Sequence, residues 1–495
     1  MPLSACARVR ARRHAAGTRS CHITPFTAAA LTAVVASLSV CALGCGGGSR
    51  PAESASSPSR VASRLVPRAT RRPAYPLEAG PTGRYLVDRR GRPFFIVGDS
   101  PQALIGNLSL DEAAEFIADR KAAGFNSLLV DLLCAKYTGC RDDGTTSDGI
   151  EPFNAPADLS TPNPAYFERA DAIIRLAARA GIVVFLDPIE TGGWLSTLRA
   201  NGIARDYAYG QFLGRRYRKF GNIVWWNGND FQTWSNASDD AAVLAVARGI
   251  RSEDRTHIQT VQLDYLNSAS LDDGRWRPVI GLDAAYTYFP TYAEVLKEYN
   301  RKDFMPVFLS EAGYEFEQNS PSISAGNPSV LRRQEYWSVL SGAAGQFYGN
   351  HYTWQFADGW KQHLGTPGSA QVGYLAKLFE GRRWFRLVPD QAHRLVTAGY
   401  GTFASSGNVE SSNYVTTAAT PDGRLAISYL PAGGTITVDM GRFAGAVRAH
   451  WYDPTRGVYS AVSGSPFPNA KAVDFASPGK NGDGDSDWVL VLTTR

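Results

Sequence analysis

Acids and aromatics gather where short apolar runs end in this sequence. Asp99, Asp131, Asp187 with Glu190 behind it, Asp230 after Asn229, Asp264 after Gln262, and Glu311 are the acids. Tyr286, Tyr288 and His351 end other runs, and Trp194, Trp234, Trp354 and Trp360 lie in the segments that follow. Aromatic faces stack on the C–H faces of a sugar ring, while carboxylates bind its hydroxyls and supply acid–base groups. Cleaving a glycosidic bond takes two carboxyls, one ionised and one protonated to release the leaving oxygen. Asp230 and Glu311 are the expected pair. Each follows a strongly apolar run, Ile223-Val224-Trp225-Trp226 and Pro306-Val307-Phe308-Leu309. Asp230 then acts as acid/base and Glu311 as nucleophile, with Asn229 and Tyr288 orienting substrate or nucleophile. Asp99, Asp131, Asp187, Trp194, Tyr286, His351 and Trp354 are the expected substrate contacts. The competing reading for any such carboxylate is a structural cap or ion pair. A retaining mechanism calls for carboxyls about 5–5.5 Å apart, and a gap beyond about 6.5 Å for inversion.

These positions share one rim only if strands alternate with helices. Residues 93–98 read as a buried strand, and Ser109-Leu110-Asp111-Glu112 opens a helix with a capping box that Gly124 stops. A strand at 125–133, a helix at 165–180 and a strand at 182–186 repeat the unit. Helices near 205–220 and 239–250 alternate with strands at 223–226 and 257–263. Further strands at 284–289, 306–309 and 346–348 flank helices at 292–299 and 330–340. Eight strands with helices between them predict an α/β fold, a (β/α)8 TIM barrel over 76–390 with its site at the strand C-termini. The fourth and seventh strands then face each other across the mouth. An open doubly wound sheet is the alternative. It would bring a Gly-rich phosphate turn after the first strand, and Gly98-Asp99-Ser100-Pro101 is not one. Beyond a helix at 371–385 the texture changes. Short alternating runs at 425–429, 435–438, 447–451 and 488–492 predict a small C-terminal antiparallel β-sandwich over 391–495.

Of the 495 residues, 51 are Lys or Arg and 46 are Asp or Glu, 44% are hydrophobic and 11% aromatic. The formal charge of +5 is unevenly placed, because the first 72 residues hold eleven Arg and one acid, Glu53. The remainder, with 40 basic and 45 acidic residues, is mildly acidic, which argues against a nucleic-acid partner. The Arg-rich start, the apolar run 26–43 and Gly44-Cys45-Gly46 predict a signal peptide over 1–45 rather than a spanning helix. Cys45 resembles the acylated cysteine of bacterial lipoproteins, although Ala42 stands where such signals usually carry Leu. A plain secretory signal is the other reading. Residues 46–75, rich in Ser, Ala, Pro and Arg, read as a disordered tether. The expected location is therefore the cell envelope after export, with membrane contact only through a lipid. Cys6, Cys21 and Cys41 leave with the leader. Cys134 and Cys140 remain, either as a small disulfide or as two buried thiols.

No His-Glu-x-x-His, Gly-x-Ser-x-Gly or Walker motif is present, so neither metal nor other cofactor is expected. Residues 481–487 carry acids at alternate positions like the start of a calcium loop. Trp488 and Thr494 replace the Gly and Glu that such a loop needs, leaving a polar turn. A poly- or oligosaccharide is the expected partner, met by a monomer. A surface lipoprotein that binds glycan without cutting it is the alternative function.

Phe94-Phe95-Ile96-Val97-Gly98-Asp99-Ser100, the helix at 109–124, residues 223–230 and Ser310-Glu311-Ala312-Gly313 resemble the apiosidase-like family of glycoside hydrolases. Residues 451–457 and 487–490 resemble its companion module, which carries a collagen-binding label that nothing in this sequence supports physically. The likeness spans about 75–495. It implies a barrel that cleaves plant cell-wall side chains at apiose, with a fourth-strand Asp as acid/base and a seventh-strand Glu as nucleophile. Asp230 and Glu311 match those positions. The family often has a Gly-Gly-Asp-like segment where this chain has Gly228-Asn229-Asp230. An Asn there is shared with other retaining barrel glycosidases, so the departure keeps the chemistry and loosens the tie to apiose.

Overall fold

In the computed structural model, which describes residues 72–494, eight parallel strands form the frame of the site. They are β1 (Ile96–Asp99), β2 (Ser127–Asp131), β3 (Val183–Asp187), β4 (Ile223–Asn227), β5 (Gln259–Val261), β6 (Asp283–Thr287), β7 (Val307–Glu311) and β8 (Gly345–Tyr348). The expected leader, Cys45 and residues 46–71 lie outside the described residues. The sheet runs β5-β4-β3-β2-β1-β8-β7-β6 and adds the short antiparallel strand Asn267–Ala269 beside β6. Its two ends are joined by a Gly281 N–H bond to the Gln259 carbonyl (2.9 Å). Ser270 Oγ adds a second link, donating to Val261 O (2.5 Å) and accepting from Ala284 N–H (2.9 Å). The curled sheet with its outer helices is the expected TIM-type barrel.

An aromatic cluster fills the barrel. Phe185 of β3, Trp226 of β4, Phe308 of β7 and Phe347 of β8 pack mutually, with ring centroids 4.9–6.0 Å apart. Gly98 of β1 makes room for it, since a Cβ there would lie 2.4 Å from the Phe347 ring. The same core takes in Leu77, Leu86 and Phe94. Leu86 and Phe94 belong to a small antiparallel sheet of Glu78–Ala79, Leu86–Val87 and Pro93–Phe94. The expected first strand over 93–98 is thus split: 93–94 pairs in that sheet and only 96–99 enters the barrel. The end of the expected tether is also ordered, with Tyr75 Oη donating to Gly181 O at 2.9 Å.

The helices follow their predicted signals. Ser109 and Glu112 form the capping box of Leu110–Ala123, and Gly124 ends it at φ 103°. Between β3 and β4, where one helix near 205–220 is expected, Ile203–Tyr217 meets that expectation and a second helix, Thr191–Asn201, precedes it. Gly192 and Gly193, poor helix formers, occupy the first turn of Thr191–Asn201 and hide it from a periodicity reading. Among the described residues no helix is long and apolar enough to cross a membrane.

Past the helix Pro367–Glu380, a six-stranded and a three-stranded antiparallel sheet form the expected sandwich. Val396, Ile436, Val438 and Phe475 of the smaller sheet pack against Ala426, Trp451, Leu490 and Leu492 of the larger. The outer face of the larger sheet packs on the barrel, with Tyr429 stacked on Tyr336 at 4.9 Å and Ile427, Val489 and Val491 in one core with Trp337 and Phe379. Acids of 481–487 pair with an arginine of the barrel. Asp485 and Asp487 grip Arg332 of the barrel helix Pro328–Leu340 at 2.6 and 2.8 Å.

Candidate active site

At the C-terminal ends of the strands lies an open cleft of about 420 Å³. Asp230 and Glu311 both line it, with Tyr286 near the end of β6, Tyr288 just beyond it, Trp354 after β8, and Gln102, Tyr137, Gln232, Tyr314 and Glu317 around them. Beyond Tyr137 a second hollow of about 430 Å³ is lined by Lys136, Asp142, Gly192 and Gly193.

Asp230 is placed by an uncommon turn. After β4, Gly228, Asn229 and Asp230 all have left-handed backbone, at φ 102°, 48° and 54°. Gly228 is required there, because a Cβ would lie 2.4 Å from Gln262 O. Asn and Asp are the side chains that tolerate this region best. Thr191 braces the turn, its Oγ1 donating to Gly228 O (2.6 Å) and Asn229 O (3.0 Å). Strained backbone of this kind persists where the surroundings hold it, and it concentrates at functional sites.

The turn aims the Asp230 N–H at Gln262 Oε1 (3.0 Å), which fixes the amide so that Gln262 Nε2 donates to Glu311 Oε2 (2.9 Å). One side chain therefore ties both carboxyl-bearing segments together. Glu311 ends β7 and is only 6% exposed. A register shift between Ala285 and Tyr286 sets Tyr286 opposite it. Burial pushes the Glu311 carboxyl well above its ordinary range, and the charge of Asp230 adds to this, while the Gln262 amide pulls it down. Asp230 is also raised, first by burial, against the hydrogen bond from Tyr137. Two such neighbours resist ionising together.

Several expected contacts lie elsewhere. Asp99 is fully buried, paired with Arg120 at 3.4 Å and raised to about 6, chiefly by burial. Asp131 and Asp187 are paired residues of β2 and β3, both fully buried and both pushed well above the carboxyl range, first by burial. Asp131 supports the site indirectly by accepting from Asn229 Nδ2 (3.3 Å), which also donates to Gln102 Oε1 (3.3 Å). Trp194 is a core residue whose Nε1 donates to Cys134 O. Trp360 is buried too. His351 is half-exposed and bonds Glu317 (3.1 Å), to which Trp354 Nε1 also donates (2.6 Å). Strand ends identify the correct face of a barrel, but not which of its acids stay open to the cleft: Arg120 covers Asp99, and Asn229 sits on Asp131.

Gln102, Tyr137, Gln232, Tyr314 and Glu317 were not expected at the site. Only the spacing of Glu317, six residues beyond Glu311, offered a hint of it. Cys134 and Cys140 form a disulfide, which settles the two readings of that pair. Among the described residues one acidic group is close enough to hold a cation, Asp272, Glu294 and Glu298. Lys297 Nζ already sits among them at 2.8, 2.9 and 3.4 Å.

A family model described as "Apiosidase-like, catalytic domain" matches residues 81–386. A second, described as "Putative collagen-binding domain of a collagenase", matches residues 404–493. A solved glycoside hydrolase family 5 protein from Bacteroides vulgatus is 23% identical, with a TM-score of 0.73 over 84% of this chain and 93% of its own. Another solved structure, titled glycoside hydrolase, is 22% identical with the same TM-score over 85% of this chain and 97% of its own. These two likenesses show a shared fold. No curated protein matches the chain.

Proposed function

The chain belongs to the apiosidase-like family and is a glycosidase, and on that premise we propose that it hydrolyses a plant-type or microbial polysaccharide with retention of configuration. Asp230 is the acid/base and Glu311 the nucleophile. The observation that carries this reading is the Gln262 bridge, which links the Asp230 backbone to the Glu311 carboxylate within one cleft. An amide N–H only donates, so it favours the ionised form of Glu311, the form that attacks an anomeric carbon. Asp230 Oδ1 is buried and has no hydrogen-bond partner, which leaves it open to hold the proton for the leaving oxygen. In the first step Glu311 displaces the leaving group as Asp230 gives up that proton. In the second, ionised Asp230 takes a proton from water, which releases the sugar from Glu311. Tyr286 and Tyr288 contribute hydroxyls beside the nucleophile, and Trp354 an aromatic face at the rim.

Family membership makes apiose-bearing pectic polysaccharide the first substrate to test, among a wider set of plant and microbial polysaccharides. Proton NMR of the first product formed should show the anomer of the substrate. Appearance of the opposite anomer would exclude a nucleophilic role for Glu311.

Export to the cell envelope, with Cys45 acylated, is part of the same proposal. The leader composition supports it, as does the Cys134–Cys140 disulfide, since such bonds persist in oxidising compartments. Labelled fatty acid should be incorporated by the wild type and lost in Cys45→Ser.

A further inference from the structure

Tyr137 is 41% exposed, yet its hydroxyl reaches inward to Asp230 Oδ2 at 2.7 Å, across 93 residues of sequence. Gln232 Nε2 donates to the same hydroxyl (3.1 Å). The phenol thus accepts from Gln232 and donates its own hydrogen to Asp230, whose ionised carboxylate can only accept.

The surrounding chain is built around that contact. Tyr137 sits in the 3-10 turn Lys136–Thr138, within the loop that the Cys134–Cys140 disulfide closes. Underneath, the helix Thr191–Asn201 begins with Gly192 and Gly193. A Cβ on Gly192 would lie 2.3 Å from the Tyr137 ring, and one on Gly193 would lie 2.3 Å from the Ala135 Cβ. Two glycines in one helical turn weaken that turn relative to alanine, and here they make the bed on which the loop rests. Asn107 Nδ2 fastens the far side, donating to Gly139 O (2.9 Å) and Gln355 O (2.8 Å).

We propose that Tyr137 is a positioning residue for Asp230, held in place by the Cys134–Cys140 disulfide, so that the intact loop sets both the orientation and the proton affinity of that carboxyl. Its consequence for turnover rests on the acid/base reading of Asp230; the contact itself does not. Because Tyr137 occupies Oδ2, the transferable proton belongs on Oδ1. The bond also stabilises the ionised carboxylate, which the second chemical step needs, against the burial that disfavours it.

The test is to follow Asp230 itself, by carbodiimide coupling to glycine ethyl ester at a series of pH values and peptide mass spectrometry. Only the protonated carboxyl reacts, and no substrate is needed. In Tyr137→Phe, coupling should persist about one pH unit higher than in the wild type, the size expected for loss of a hydrogen bond to a charged group. Cys134→Ser/Cys140→Ser should show the same displacement, and adding Tyr137→Phe to it should change nothing further. Unchanged Asp230 titration in Tyr137→Phe overturns the positioning role. An unchanged double-serine variant overturns the part assigned to the disulfide. Should that variant fail to fold, wild type treated with dithiothreitol gives the same comparison. Rates on an apiose-bearing pectic oligosaccharide complete the test: Tyr137→Phe should be about tenfold slower, with its alkaline limit moved upward. If Asp230→Asn keeps the wild-type rate, the acid/base reading fails, whatever the titration shows.

Discussion

Glu311→Gln is expected to lower kcat by about four orders of magnitude or more while leaving glycan affinity within about threefold of wild type. Glutamine keeps the shape of the side chain and its oxygen can still accept from Gln262 Nε2, the bond now at 2.9 Å. The cleft keeps its aromatic wall of Tyr286, Tyr288 and Trp354. What disappears is the charge that bonds to the anomeric carbon. Initial rates and isothermal titration with the same oligosaccharide check the two halves separately. Turnover at the wild-type rate would remove Glu311 as nucleophile. Joint loss of turnover and binding would instead assign it to holding the sugar.

The largest effect on stability is expected from Arg332→Ala. Arg332 is almost wholly buried between barrel and sandwich, with Asp487 equally buried 2.8 Å from its Nε. Its Nη2 meets Asp485 (2.6 Å), and its Nη1 donates to Gln371 Oε1 (2.8 Å). Truncation would leave Asp487 with only neutral donors, Tyr429 Oη and Asn481 Nδ2. Removing one partner of a buried ion pair costs about 3–5 kcal/mol, because the other charge stays behind without compensation. Denaturant unfolding should therefore show a loss of that size, in one transition for both parts of the chain. A loss below about 1 kcal/mol, or two separate transitions, would contradict the single shared core described for the two parts.

The barrel was legible because parallel strands are covered on both faces and read as unbroken apolar runs. Ile223-Val224-Trp225-Trp226 and Val183-Val184-Phe185-Leu186 are of this kind. Phe94 and Ile96 show the limit, since one apolar run serves two sheets and nothing local marks the break. That Asp230 and Glu311 share one cleft was legible from strand position. The fates of Asp99, Asp131 and Asp187 were not. Each ends its strand as Glu311 does, but later segments of the chain bury them, and that depends on contacts far away in sequence. Tyr137 was invisible for the same reason. Between two cysteines it carries no periodicity, and its meaning comes from Asp230, Gln232 and the bed formed by Gly192. Trp194 misled in the opposite way: an aromatic in a rim segment turned inward to the core once Gly192 and Gly193 became helical.

The most direct test of the account is covalent trapping. A 2-deoxy-2-fluoro glycoside of the sugar that the enzyme releases, with an activated leaving group, should slow hydrolysis of the sugar–enzyme bond enough for peptide mass spectrometry to find it. The account predicts one sugar per chain, attached to Glu311, and faster trapping in the wild type than in Asp230→Asn when the leaving group is poor. A sugar attached to another residue, or an inverted product with no adduct at all, would contradict it.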